Sequence, residues 1–127
     1  MESNQLMDAF VQVKRMGNFC NEVMDLSQQL AEALDRNDRV SVQMLVSMRQ
    51  EPIEKLQLAD RALRQQINDL GPENGQQLAD LLNGGPGKTD EEKAFAAQVA
   101  ANSRVLRRVI DLDKVLNQKI KRESEGS

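Results

Sequence analysis

The stretch that most constrains the fold is LAEALDRNDRVSVQMLVSMRQEPIEKLQLADRAL, Leu30 to Leu63, in which two helical periodicities meet at a short polar hinge. Leu30 and Leu34 end one stripe of apolar residues spaced three and four apart, and Val42, Leu45, Leu56 and Leu63 open another at the same spacing. Between the stripes, Asn37 suits a left-handed helix stop and the Asp38 carboxylate suits the free N–H groups of the next helix. The pattern predicts an αα-hairpin on which everything else packs.

Extending the same reading outward predicts a first helix over 3–36, with Leu6, Phe10, Val13, Met16, Cys20, Val23, Leu30 and Leu34 on its apolar stripe and Ser3 or Asn4 as cap. Gly17 interrupts it. A mid-helix glycine costs up to about 1 kcal/mol relative to alanine, so this position predicts either local flexibility or close approach of a neighbouring helix. The second helix spans 38–70, with Val42, Leu45, Met48, Ile53, Leu56, Ala59, Leu63, Ile67 and Leu70 in phase. Pro52 cannot donate to the Met48 carbonyl, and because the stripe continues across it the expectation is a kink rather than a break.

Gly71-Pro72 stops that helix, and QQLADLLN at 76–83 is expected to form a short helix docked through Leu78, Leu81 and Leu82. Residues 84–88 read as a flexible Gly-rich loop, and Thr89 with Glu92 reads as a capping box. A third long helix follows over 90–121, with Phe95, Val99, Leu106, Val109, Leu112, Leu116 and Ile120 on its seam and two polar interruptions, Asn102 and Asp113. The polar end, 122–127, is expected to fray. The fold class is therefore all-α: one domain, an antiparallel bundle of three long amphipathic helices with a short extra helix before the Gly-rich loop.

Composition narrows the function classes. Aromatic residues are only 2% of the 127, with no Trp or Tyr, which disfavours base-stacking surfaces and aromatic-lined pockets. The net charge is −3, so no overall basic field recruits a phosphate backbone, and nucleic acid is not the expected partner. Histidine is absent, which removes the usual neutral-pH acid/base and the commonest transition-metal ligand. An enzyme is not expected, nor any cofactor. The start MESNQLMDAF lacks the pattern of a signal peptide, and no segment approaches the ~20 apolar residues that span a bilayer, so the expectation is a cytosolic protein without membrane insertion.

Several segments invite a chemical reading and yield to a simpler one. Gly84-Gly85-Pro86-Gly87-Lys88-Thr89 resembles part of a phosphate-binding loop, but the first glycine of that pattern would fall on Leu82 and no apolar strand precedes it. Linker and helix cap explain it better. Cys20 lies on the inner stripe with no histidine to activate it and no second cysteine to resolve it. Asp111 with Asp113, and Glu91 with Glu92, lack the spacing that would put them on one helix face. Met16, Met24, Met44 and Met48 could line an adaptable surface, though core filling is the plainer account. The third long helix is basic between Arg104 and Arg122, which either solvates it or orients an incoming acidic helix.

Leu34-x-x-x-Asp38-x-x-x-Val42, Leu45 with Arg49, Ile53-x-x-Leu56 and, in the last helix, Asn102-x-x-x-Leu106 together resemble the flagellar type III export chaperones of the FlgN and FliT type. The resemblance spans most of the chain; Pro52 and the Gly-rich insertion depart from it. It implies a small cytosolic helical protein that binds the terminal amphipathic helix of a flagellar hook-filament junction or cap subunit before secretion. Carried onto this sequence, it implies a client surface on the last helix at Val99, Asn102, Leu106, Val109, Leu116 and Ile120. The alternative is a self-associating coiled-coil adaptor, a homo-oligomer in which the same seam is covered permanently by a second copy.

Overall fold

In a computed structural model, which describes residues 1–126, the chain is all-α: α1 Ser3–Asp35, α2 Arg39–Asp69, α3 Pro72–Leu82 and α4 Asp90–Gly126. The hinge between α1 and α2 forms as the sequence dictates. Asn37 takes the left-handed conformation at φ 57°. Asp38 caps α2, accepting from the Ser41 N–H at 3.1 Å and the Ser41 hydroxyl at 2.6 Å.

Each long helix runs against the one before it, so α1 and α4 run the same way. Gln66 donates to the Gln5 carbonyl across the antiparallel α1–α2 pair. Ser3 donates to Glu91 near the starts of α1 and α4, Asn102 to Val13 further along, and Lys119 to Asp35 near their other ends. The central helix is α1, packed on both α2 and α4, while α3 touches α2 and α4.

Two apolar clusters hold the bundle. At the hinge end Leu26, Leu30, Ala33 and Leu34 of α1 meet Leu45 of α2 and Leu116 of α4 directly. At the other end Leu6, Ala9 and Val13 meet Leu63, Phe95 and, from α3, Leu78 and Leu81. The Phe95 ring is fully buried and lies 5.9 Å from that of Phe10, which fixes the start of α4 against α1.

Several boundaries differ from the sequence reading, each for a local reason. Glu2, not Ser3 or Asn4, is the N-cap of α1, and its N–H donates to Gln5 Oε1 at 2.8 Å. The short helix begins at Pro72 rather than at 76, because Gly71 at φ 85° turns the chain and Pro72 is pre-set for a first helical position. The same pair that stops α2 starts α3. Thr89 does cap α4, accepting from the Glu92 N–H at 3.1 Å, but the Glu92 carboxylate accepts the Thr89 hydroxyl instead of a main-chain N–H. At the far end α4 continues to Gly126 where a fraying tail is expected from 122; Ser127 lies outside the described residues.

Pro52 lies within a single helix and is fully buried. Met48, expected on the inner seam, is exposed instead, and Arg49 takes the inward place between Leu45 and Pro52. The inward row of α2 is thus Leu45, Arg49, Pro52, Leu56, Ala59 and Leu63: the three-and-four spacing is kept, with Arg49 in the place expected for Met48 and Pro52 in that expected for Ile53, which is only half-buried.

Candidate functional site

Where α3 inserts between α2 and α4, the two long helices do not close over α1. The result is a groove of about 660 Å³, open on one side. Its floor is Val13, Met16 and Cys20 of α1; one wall is Leu56, Gln57, Asp60, Leu63, Arg64 and Ile67 of α2; the other is Val99, Asn102, Ser103 and Leu106 of α4; Ala79 and Leu82 of α3, with Asn83 that caps it, close one end. Between Ile67 and Leu56 the α2 wall rises about 16 Å, three turns of helix. Roughly 10 Å further along α2, Arg49 reaches across to Asp113 of α4 at 2.6 Å and ties the two walls together.

The two polar interruptions of the α4 seam now have partners. Asn102 donates from Nδ2 to the Val13 carbonyl at 2.7 Å and accepts from Gln98 Nε2 at 2.8 Å. It lies over Gly17: a Cβ there would come within 2.5 Å of Asn102 Oδ1 and 3.0 Å of Gln98 Nε2. Close approach, rather than flexibility, accounts for this glycine. Asp113 is the partner of Arg49, whose side chain is only 14% exposed and whose Nε is buried without an acceptor, so the carboxylate is what keeps that cation tolerable inside.

The residues carried onto α4 as a client surface divide into three groups. Val99, Asn102 and Leu106 line the groove, and Leu106 remains 42% exposed. Val109 and Leu116 are core residues, the latter in the hinge-end cluster, so their apolar surface is already covered within the chain. Ile120 is exposed but lies beyond the groove. Met16, Cys20, Leu56, Ile67 and Leu82 are groove residues that the sequence placed only on helical stripes. Nothing in their spacing marks the open stretch of a stripe.

Cys20 is buried at the groove floor, and burial pushes its thiol above the usual range, so it is held as the neutral thiol. At the hinge the opposite happens: the Ser41 hydroxyl, then the Ser41 N–H, hold the Asp38 carboxyl below the usual carboxylate range. Among the described residues no three His, Cys, Asp or Glu side chains are grouped to hold a metal ion, and no helix is long and apolar enough to cross a membrane.

What the groove offers chemically is an apolar trough with a few polar groups on its rims. Comparison of the chain with protein-family models, with curated proteins and with solved structures finds no match in any of the three.

Proposed function

We propose that the protein is a binding protein, not a catalyst, and that the groove between α2 and α4 receives the apolar face of a partner helix. The observation that carries this is the groove itself: about three turns of α2 and two of α4 left unclosed over α1, presenting Leu56, Ile67, Val99 and Leu106. Such a trough suits an amphipathic helix anchored by side chains one turn apart. Its lining has no aromatic ring of the kind that orients most small-molecule ligands.

Together with the resemblance of the Leu34–Leu56 and Asn102–Leu106 patterns, this supports a flagellar export chaperone. The client would be the terminal helix of a hook-filament junction or cap subunit, shielded until secretion. Shielding is the chemistry required: an exposed amphipathic helix self-associates, and seating its apolar face in the groove removes that surface from water.

Co-expression with flagellar junction and cap subunits tests this, with light scattering of any complex. A discrete complex, lost on deleting the client's terminal segment and weakened by Leu106→Asp, is the expected result. A stable homo-oligomer that ignores every flagellar client overturns the proposal. One observation favours that second reading: Val40, Met44 and Met48, each one helical turn apart on α2, are all exposed, with Val40 at 78%.

A further inference from the structure

The two rims of the groove carry different charge. On the α2 rim Asp60 and Arg64 neutralise each other at 2.9 Å. The α4 rim turns over at Ser103 into a second hollow of about 410 Å³, which shares Leu82, Asn83 and Val99 with the groove and is edged by Arg104 and Arg107. Among the described residues neither arginine has a carboxylate within ion-pair distance, although Asp111 follows Arg107 by one helical turn. From Arg104 to Arg122 the chain has seven basic and two acidic side chains, on a molecule whose total charge is −3. Of the two acids in that span Asp113 is engaged by Arg49, and of the seven bases Lys119 is engaged by Asp35, so neither bears on this rim.

We propose, resting on the groove reading above, that the partner is an acidic amphipathic helix held with its carboxylates against Arg104 and Arg107. An apolar trough fixes depth but not direction, because a leucine stripe fits either way round. One charged rim beside one neutral rim supplies what is missing: it favours the orientation that brings carboxylates to α4 and penalises the one that brings ammonium groups there. A polyanionic nucleic acid is the weaker occupant for these two arginines. The rim adjoins an apolar trough, the chain is acidic overall, and it has no Trp or Tyr on which bases could stack.

The test uses the full chain and two fluorescein-labelled peptides about five turns long (~18 residues). Both carry leucines at three- and four-residue steps; one has glutamates along the flank that meets α4, and the other lysines. Fluorescence anisotropy at low salt is expected to give about tenfold tighter binding of the glutamate peptide, the sum of two to three exposed ion pairs. The double variant Arg104→Glu, Arg107→Glu should reverse the preference, a gain that a misfolded variant cannot show. Equal binding of both peptides, unchanged in that variant but lost in Leu106→Asp, overturns the charged-rim inference and leaves the groove standing. Binding of neither peptide, together with capture of single-stranded oligonucleotide that the double arginine variant abolishes, overturns both.

Discussion

The two ends of the bundle are built from the same helices and differ in one insertion. At the hinge end α4 lies directly on the hairpin, and Leu116 fills the space between Leu30, Leu34 and Leu45. At the other end α3 stands between α2 and α4, burying Leu78 and Leu81 beneath them, and beside it the groove stays open. The difference teaches that an amphipathic stripe does not by itself decide whether it becomes core or docking surface. An eleven-residue helix that spaces two long ones decides it here. Too short to be stable in isolation, α3 owes its form to the same contacts that hold the walls apart.

The comparison breaks most readily under truncation. Leu30→Ala at the closed end is expected to cost about 2–5 kcal/mol, whereas Leu106→Ala in the groove should cost under about 1 kcal/mol because its side chain already meets water. Urea denaturation followed by far-ultraviolet circular dichroism measures both, and equal losses would mean that the groove is closed in solution. Next in size is the tie between the walls. Asp113→Ala strands the Arg49 cation inside and should cost about 1–3 kcal/mol, more than Arg49→Met, which removes cation and unmet donor together. Unfolding midpoints of the two variants settle the order.

A smaller effect changes sign with its background. Gly17→Ala should destabilise the wild-type protein, since the new methyl displaces Asn102 from its bonds to Val13 and Gln98. In Asn102→Ala the same change should stabilise by about 1 kcal/mol, the ordinary helical advantage of alanine. A double-mutant cycle that finds the same sign in both backgrounds would disprove the contact.

The smallest effect is in acid. Because the folded state holds the Asp38 carboxyl below its usual range, the unfolded chain binds its proton first. The cap's contribution is complete above the unfolded carboxylate value, about 3.9, and is lost as pH falls through the lower folded value. Asp38→Asn should therefore flatten the fall in stability below about pH 4, as read from urea midpoints at each pH.

Much of this was legible in the sequence, and what was not has a common cause. The hinge was readable because Asn37 and Asp38 each answer a requirement of their own backbone. Gly17, Asn102 and Asp113 are readable as anomalies, but their explanations lie on other helices, at Asn102 and Gln98 for Gly17, at Val13 for Asn102 and at Arg49 for Asp113, which no local pattern names. The start of α3 at Pro72 is hidden in the sequence because Gly71-Pro72 serves two helices at once. Val109 and Leu116 show the limit most plainly: a seam residue looks the same in sequence whether its partner is in the same chain or in another. The groove was not readable at all, being a property of where α3 docks.

The shared direction of α1 and α4 also has a consequence for the order of assembly. The α1–α2 pair closes through a turn of three residues, whereas each bond from α1 to α4 joins positions 84 to 89 residues apart. Closing a loop that long carries an entropy cost that no α1–α4 contact can offset until several form together. The hairpin is the part that assembles from local contacts, and α4 condenses onto it afterwards. During synthesis the chain therefore presents a hairpin with the α4 side of α1 uncovered until residues beyond 90 are available to fill it.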